Sequence, residues 1–356
     1  MLTRRTVVLG GLSAAAVAPL GCGGGWRSKA QTALEAGAQA LWGLQAEDGA
    51  FRSERYGLLR NGWSLTPFAL LALTRTGLAL SGSGASKALG WMAHGTKDGV
   101  LGLGSEAPDY PCYATALALH CLAKLRPPDS DALIAQLQTG LRGFQLREAQ
   151  GWKGHAGQGA FRMGSNDVPQ PPHSGHVDLS MSRRAVEALV ASGVAKTDPA
   201  VVEALAFAER CRTGDGAFVY TAAETALNKG RRDGSDRGYG TATADGVLLR
   251  HAAGKPVERG LTVLRDMHRV DENPRVGDGP MRPYALAMRG YYRAASGRAF
   301  ARLGGPSGWE EALANAVIAD QRGDGSWANE RAEQKEDEPI VATGFAIEAL
   351  SAALHR

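Results

Sequence analysis

The chain has 356 residues, of which 44% are hydrophobic, 6% are aromatic and 47 are glycine. This length and apolar content indicate a globular protein that can bury a large core. The formal net charge is only +4, so the sequence lacks the basic field of a protein that binds DNA or RNA.

The first 22 residues have the features of an export signal. Arg4 and Arg5 precede an apolar run over 7–20 that is short and glycine-rich for a membrane span. The paired arginines resemble a twin-arginine signal, and Cys22, followed by glycines, resembles the cleavage site of a bacterial lipoprotein. We expect an exported envelope protein, periplasmic or attached to the membrane through a lipid on Cys22, with 23–356 as its single domain.

From Trp26 onward, apolar residues recur at helical spacing, with breaks at Gly, Pro and Asp and no period-two alternation. The segments form six pairs: 27–45 with 65–77, 85–97 with 110–125, 131–147 with 179–193, 199–212 with 239–253, 256–268 with 282–296, and 308–321 with 339–354. In each pair the first helix is amphipathic, whereas the second is apolar nearly all round and must be buried on all sides. The sequence therefore predicts an all-α fold, an (α/α)6 toroid whose second helices form an inner ring inside the first helices.

The connections between helices are strongly unequal. Turns from one pair to the next are short, but the links within pairs are long, with about 30 residues between Gln145 and Asp178. In a closed ring of hairpins all the long links emerge on one rim. We expect a ligand to bind at that rim, because loops on a rigid scaffold commonly carry function.

A short phrase recurs at the ends of the outer helices. It reads "QRGDGSW" from Gln321, "QAEDGAF" from Gln45, and "RTGDGAF" from Arg212; in "GFQLREAQGW" we match Gln145 with Gly151 and Trp152. The glycine can take the left-handed conformation that ends a helix, the aspartate can form a local turn bond, and the glutamine can satisfy free backbone groups. The phrase is therefore interpreted as a structural contact between neighbouring repeats.

The phrase resembles the glutamine–tryptophan repeat of the squalene–hopene cyclase and protein prenyltransferase β-subunit superfamily. The segments "DYPCYATALAL", "VDLSMSRRAVEALVASG" and "GDGSWAN" followed by "PIVATGFAIEAL" resemble the same repeat, so the resemblance covers nearly the whole mature chain. It implies an α/α toroid with an apolar central cavity and an apolar, isoprenoid-type ligand. It leaves open whether the protein is an enzyme with cyclase-like or transferase-like activity.

The sequence departs from the superfamily at the acid that starts cyclisation. Class II cyclases carry an Asp-x-Asp-Asp motif that protonates the isoprenoid, and this chain has none. The nearest segment, 129–132, falls in a turn between pairs on the opposite rim. The low aromatic content also differs from a cavity that stabilises cations through aromatic faces.

The resemblance further suggests a zinc site. Prenyltransferase β-subunits bind zinc through an Asp and a Cys at the start of one inner helix and a His from another. Asp109, Cys112 and His176 correspond to that set, with one residue too many between Asp109 and Cys112. The alternative is that Asp109 caps a helix, Cys112 belongs to the core and His176 is a solvated loop residue.

Polar and aromatic residues cluster where the inner helices begin, on the rim of the long loops. The candidate ligand-binding residues at this mouth are Trp63, Asp109, Tyr113, His176, Asp236, Tyr239 and Tyr284. Such a ring would suit a cationic or polyhydroxyl ligand. Helix capping is the alternative explanation of the acids among them.

Asp178 and Asp245 are the candidate catalytic acids. Asp245 lies about two turns into an inner helix that is otherwise small and apolar, where an ionised carboxylate is costly unless it is paired. A carboxyl group facing a dry cavity, with a raised pKa, could protonate a substrate. Pairing with Arg250 or with another buried donor is the alternative.

Three functions remain open from the sequence. The first is binding of an apolar, isoprenoid-type ligand in the cavity, with or without catalysis, and an apolar cavity containing Asp245 would favour it. The second is a non-catalytic envelope scaffold that binds a protein or glycan through its rim loops, which a filled centre would favour. The third is a carbohydrate-processing enzyme, which needs two carboxylates roughly 5–10 Å apart in an open polar cleft.

Overall fold

The computed structural model describes residues 25–80, 82–106, 109–164 and 169–355. Its helices in chain order are α1 (Trp26–Gly43), α2 (Leu65–Leu73), α3 (Gly82–Gly95), α4 (Pro111–Leu125), α5 (Asp131–Arg142), α6 (Leu179–Ala191), α7 (Pro199–Arg210), α8 (Gly240–Ala252), α9 (Glu258–Asp266), α10 (Tyr284–Ala287), α11 (Arg289–Leu303), α12 (Trp309–Ala319) and α13 (Pro339–Ala353). The two short strands, β1 (Thr96–Lys97) and β2 (Val100–Leu101), form an antiparallel hairpin. The predicted all-α class is confirmed, whereas the predicted signal and Cys22 lie outside the described residues.

The helices form two concentric rings. The inner ring runs α2, α4, α6, α8, α11 and α13, and each of these helices packs against the next. Helix α13 then packs against α2, and the outer helix α12 packs against α1, so the first and last hairpins close the ring. The predicted toroid of six hairpins is therefore confirmed.

Burial follows the predicted difference between the rings. Every residue of α2 is buried, whereas α1 buries only one stripe of small and aliphatic side chains that includes Leu34 and Leu41. Within the described ranges, no helix is long and apolar enough to cross a bilayer.

The fifth inner helix differs from the predicted span of 282–296. It is interrupted at Met288, whose φ of −116° and ψ of 18° separate the four residues of α10 from α11. Helix α11 then continues to Gly304, where a φ of 87° ends it. The apolar pattern that begins at Tyr284 belongs to the short α10. Because the sequence prediction begins the fifth inner helix with this pattern, the predicted helix begins and ends before α11 does.

The glutamine of the repeated phrase joins neighbouring hairpins. Gln45 Nε2 donates to the carbonyl of Gly49 in its own turn and to the carbonyl of Gly84 in α3, both at 2.9 Å. Gln321 Nε2 donates in the same way to Gly325 and to Ala33 of α1, again at 2.9 Å. One amide group therefore closes its own turn and holds the adjacent outer helix, as the phrase predicts.

The residue in the aromatic position is fixed by the inner helix that follows it. The backbone N–H of Trp327 donates to Thr343 Oγ1 at 3.1 Å, and that of Phe218 donates to Thr243 Oγ1 at the same distance. A degenerate copy of the phrase, "DGVL" from Asp98, is the second along the chain and keeps the bond, since Leu101 N–H donates to Thr115 Oγ1 at 3.1 Å. A threonine on the inner helix is thus an additional part of the repeat that the sequence reading missed.

The third copy of the phrase was matched to the wrong residues. Gln145 Nε2 donates to the carbonyls of Gly159, at 3.0 Å, and Ala200, at 2.8 Å. Phe161 N–H donates to Ser182 Oγ at 3.1 Å, so Phe161 and not Trp152 takes the aromatic position. An insertion between the glutamine and the glycine of this copy moved the true turn further along the chain.

We predict that Gly159→Ala lowers the free energy of unfolding by about 2–4 kcal/mol. Gly159 has a φ of 81°, and an added Cβ would meet the carbonyl oxygen of Glu203 in α7 at 2.1 Å. Gly154→Ala is the matched control, because its φ is 75° but nothing lies within 4 Å of the added Cβ. Urea unfolding of both variants checks the prediction, and equal losses would show that the close approach to α7 is unimportant.

Candidate functional site

A cavity of about 410 Å³ opens at the rim where the inner helices begin. Its described lining comes from α2, α4, α6 and α13 and from the long loops beside them, so it lies to one side of the ring. The lining residues are Leu59, Ser64, Phe68, Tyr110, Tyr113, Met163, His176, Asp178, Ser180, Met181, Tyr220, Gln334, Lys335, Val341 and Phe345. The volume lies within the range of small-molecule binding sites.

One wall of the cavity is apolar. Phe68 of α2 and Phe345 of α13 pack edge to face, with ring centroids 5.1 Å apart. Val341, one turn before Phe345 on α13, adds an aliphatic surface. This wall offers contact area to a hydrocarbon group but no charged partner.

The other wall carries a polar cluster around the start of α6. Asp178 caps this helix, since its Oδ1 accepts the N–H of Met181 at 2.7 Å. His176 Nε2 lies 3.3 Å from Asp178 Oδ2 and 3.0 Å from the hydroxyl of Tyr220. Burial, followed by the nearby Asp178, raises the pKa of Tyr220 well above its usual value, so its hydroxyl keeps its proton.

Ser180 links this wall to a buried acid. Its Oγ lies 2.6 Å from the hydroxyl of Tyr291, which lies 2.8 and 2.9 Å from the two carboxylate oxygens of Asp245. Arg183 Nε lies 2.7 Å from Asp245 Oδ1. Burial raises the pKa of Asp245 to about 6, although Arg183 and Tyr291 oppose that shift. Asp245 is therefore paired, but with Arg183 rather than with Arg250.

Arg183 also belongs to a second buried ion-pair cluster, deeper in the ring than Asp245. Glu187 of α6 lies 3.2 Å from Arg183 Nη1 and 2.8 Å from Arg298 Nη2 of α11. The side chains of Arg183 and Glu187 are at most 4% exposed. Burial opposes the charge of Glu187, but Arg298 and Arg183 outweigh it and hold the pKa of Glu187 well below its usual value.

Side chains from opposite sides of the ring also meet on its axis. Arg184 of α6 lies 3.8 Å from Glu348 of α13, and Arg75, just after α2, lies 3.1 Å from the same carboxylate. Helices α6 and α13 face each other across the inner ring, so these residues fill its centre. The expected apolar channel is thus replaced by a buried ionic layer beneath a shallower cavity.

The fold resembles those of several solved structures. The type II terpene cyclase MstE from Scytonema, in a variant bound to the product merosterolic acid A, matches with a TM-score of 0.61 and 12% identity over 93% of this chain and 99% of that chain. The fold is a terpenoid-cyclase-like (α/α)6 toroid. The resemblance to this superfamily predicted from the sequence is confirmed at the level of fold.

The same toroid occurs in proteins of other activity. A wild-type glycosidase matches with a TM-score of 0.60 and 13% identity over 92% of this chain and 97% of that chain. A protein from Actinoplanes matches with a TM-score of 0.58 and 14% identity over 91% and 99% of the two chains. No protein-family model and no curated protein matches the sequence. At these identities the likeness establishes the fold alone.

The terpenoid-cyclase-like toroid brings only some of the predicted residues to its cavity. Asp178, Tyr113 and His176 line it, whereas Asp245 lies behind Ser180, outside the described lining. Asp178 is the only carboxylate among the described lining residues, whereas carbohydrate hydrolysis needs two.

The other predicted mouth residues lie elsewhere in the toroid. Trp63 stacks on Trp91 with ring centroids 4.6 Å apart, and Tyr239 is fully buried. Asp236 lines a separate groove between the loops before α8 and α10. The ring of Tyr284 lies 5.0 Å from the ammonium group of Lys229, outside the described cavity lining.

The predicted zinc set is not assembled. Asp109 Oδ2 accepts the N–H of Ser64 at 3.0 Å, and burial raises the pKa of Asp109 to about 6. Cys112 is fully buried, which raises its thiol pKa well above the usual value. Among the described residues no group of three His, Cys, Asp or Glu side chains could hold a metal ion.

Several residues of the site were missed from the sequence. Ser180, Tyr220 and Tyr291 come from three different elements, and their partners are distant in the sequence: Tyr220 contacts His176, and Tyr291 contacts Ser180. Arg183 and Arg184 did leave a signal, because two adjacent arginines lie in a helix that the predicted topology buries on all sides. Such a pair requires buried acids nearby.

We predict that Glu348→Gln lowers the free energy of unfolding by about 3–5 kcal/mol at pH 7, because it leaves buried arginines without their partner. Burial opposes the charge of Glu348, but Arg75 and Arg184 outweigh it and lower its pKa to about 2. The contribution of this carboxylate is fully present above the unfolded pKa and is lost as the pH falls toward 2.

The difference between wild type and Glu348→Gln should therefore shrink between pH 4.5 and pH 2. Urea unfolding at pH 7, 4 and 3 measures it. Glu311→Gln, at an exposed position of α12, is the control and should change stability by less than about 0.5 kcal/mol. Equal stabilities of wild type and Glu348→Gln at pH 7 would contradict the importance of the ionic layer.

Proposed function

We propose that this protein binds a small amphipathic molecule of isoprenoid type in the cavity at the mouth of the toroid. The observation that carries the proposal is the division of one cavity of about 410 Å³ into an apolar wall and a polar wall. The hydrocarbon part of the ligand lies against Phe68, Phe345 and Val341. Its polar end lies at Asp178, His176 and Ser180.

The comparisons support this class of ligand without assigning it. A solved structure of type II terpene cyclase MstE from Scytonema contains geranylgeranyl dihydroxybenzoate, a molecule with a long isoprenoid chain and a polar head. The present cavity is limited below by the ionic layer around Glu187 and Glu348. The ligand therefore folds its chain within the mouth and does not extend along the axis.

The polar wall has the groups needed for proton transfer. Asp178, His176 and Tyr220 form a hydrogen-bonding cluster at the cavity, and such groups serve as general acids and bases. Within this proposal, Asp178 is the acid that touches the ligand, and Asp245 acts only through Tyr291 and Ser180. Tyr113 and His176 remain ligand-binding residues.

The location of the protein remains a proposal from its sequence. We infer export to the bacterial envelope from Arg4 and Arg5 and attachment to the membrane through Cys22. A membrane-attached protein would meet apolar ligands at the bilayer surface.

The alternative function is a scaffold that binds a partner through its long rim loops. The filled centre of the ring favours this alternative, because the toroid then needs no ligand to complete its core. Binding of a small apolar molecule distinguishes the two functions, because a scaffold binds no such molecule in the mouth.

We predict that Val341→Trp weakens binding of geranylgeraniol at least tenfold, about 1.4 kcal/mol. Val341 lines the cavity on α13, and an indole there occupies the space of the ligand chain. Equilibrium dialysis of the full-length protein with radiolabelled geranylgeraniol measures the change, and thermal unfolding verifies that the variant is folded.

Val202→Trp is the matched control for this experiment. Val202 lies on α7 with 49% of its surface exposed, so a tryptophan there should leave binding unchanged. If wild type binds no geranylgeraniol, or if Val341→Trp binds it as well as wild type does, the cavity is not an isoprenoid site and the scaffold function is favoured.

A further inference from the structure

The hydroxyl of Tyr291 has a single proton, and its surroundings determine where that proton points. Tyr291 OH lies 2.8 Å from Asp245 Oδ1 and 2.9 Å from Asp245 Oδ2. An ionised carboxylate can only accept hydrogen bonds. Burial raises the pKa of Asp245 to about 6, but the guanidinium group of Arg183 contacts this carboxyl and favours its ionised form. The proton of Tyr291 is therefore donated to Asp245.

The remaining partners of Tyr291 must donate to its oxygen. Arg183 Nη2 does so at 3.1 Å, and a guanidinium group has no acceptor. Arg183 also lies 2.7 Å from Asp245 through its Nε, which favours the ionised carboxylate. The third partner, Ser180 Oγ at 2.6 Å, is consequently the donor in its bond to Tyr291.

This direction leaves Ser180 with lone pairs only. A serine hydroxyl has one proton and two acceptor lone pairs, and the proton is used by Tyr291. Ser180 is half-buried and lines the cavity two residues after Asp178, whose carboxylate is also an acceptor. The start of α6 thus presents acceptors to the ligand and no serine proton.

We propose that Ser180, oriented by Tyr291, Asp245 and Arg183, selects ligands whose polar head donates a hydrogen bond. Such heads are alcohols, phenols and ammonium groups, whereas ethers and phosphates offer only acceptors at neutral pH. The inference rests on the proposed function and specifies the ligand class of the same site. In this proposal the buried charges of Arg183 and Asp245 position the hydroxyl groups of Tyr291 and Ser180 and do not contact the ligand.

The cation at the cavity does not alter this selection. Lys335 belongs to the loop before α13, on the side of the ring opposite α6. Its ammonium group lies 5.7 Å from the ring of Tyr56 and 6.0 Å from that of Tyr110, where aromatic faces stabilise it. A head group at Ser180 therefore meets acceptors, and an anionic head would face the carboxylate of Asp178.

Three probes that share the same hydrocarbon chain but differ in their polar head test the inference at pH 7.5. They are geranylgeraniol, its methyl ether and geranylgeranyl diphosphate. Wild type should bind the alcohol about tenfold tighter than the ether and the diphosphate more weakly than the alcohol. In Ser180→Ala the advantage of the alcohol over the ether should fall below about twofold, while the affinity for the ether stays unchanged. Equilibrium dialysis of the full-length protein measures all three.

Tyr291→Phe provides a second, opposite readout. Without the tyrosine oxygen the Ser180 hydroxyl is free to donate into the cavity, so the methyl ether should bind at least threefold tighter than it does to wild type. A purely structural role of Tyr291 would weaken all three probes together. Ser83→Ala is the matched control, because Ser83 is exposed on α3, outside the described cavity lining, and should leave the binding of all three probes unchanged.

The outcomes separate this inference from the proposed function. Equal affinities of wild type for alcohol and ether, tightest binding of the diphosphate, or an unchanged preference in Ser180→Ala would each overturn the role of Ser180 while leaving an isoprenoid site in place. Failure of all three probes to bind would overturn the proposed function itself, and the inference with it.

Discussion

The toroid depends on a side-chain amide that satisfies backbone carbonyls of two hairpins at once. Gln45, Gln145 and Gln321 each donate to the carbonyl of a turn glycine and to a carbonyl of the next outer helix. Buried carbonyls without partners are costly, so these bonds fix the spacing between successive hairpins. The last of these glutamines reaches α1 and thereby joins the two ends of the chain.

The closed ring determines which charged side chains are buried at its centre. Six inner helices bring their inward faces together and bury six charged side chains: Arg183, Arg184, Glu187, Asp245, Arg298 and Glu348. A buried charge is tolerated only when it is paired, and the ionic layer around Arg183, Glu187 and Glu348 meets this requirement. Arg183 and Asp245 of this layer contact the hydroxyl of Tyr291, which in turn contacts Ser180 at the cavity.

The sequence predicts the ring well because its signals are local. The glycine and aromatic of each turn, the apolar inner helices and the long links lie within single hairpins, and only the third copy was misplaced by its insertion. The site is harder to predict because its contacts are distant in the chain. Ser180 and Tyr291 are 111 residues apart, and their bond joins α6 to α11, which are not consecutive helices of the inner ring.

Individual residues show that contacts between distant parts of the chain are not predicted from the sequence. Asp178 was expected at the mouth from its place before an inner helix, and it lies there. For Asp245 the sequence left two possibilities open, a cavity-facing acid or pairing with a buried donor; the second holds, but the donor, Arg183, lies on a different helix and could not be named from the sequence. The family resemblance suggested zinc at Asp109 and Cys112, yet Asp109 accepts a hydrogen bond from the backbone of Ser64, a partner that the sequence pattern does not reveal.

The central claim is that the mouth of this toroid holds a small amphipathic molecule. A native mass spectrum of the full-length protein, gently purified from its own kind of host, tests it most directly because it requires no choice of ligand. The account predicts a protein mass increased by one neutral, isoprenoid-sized adduct that is lost at low collision energy. A spectrum that contains only the bare polypeptide mass would contradict the claim and support a scaffold that acts through its rim loops.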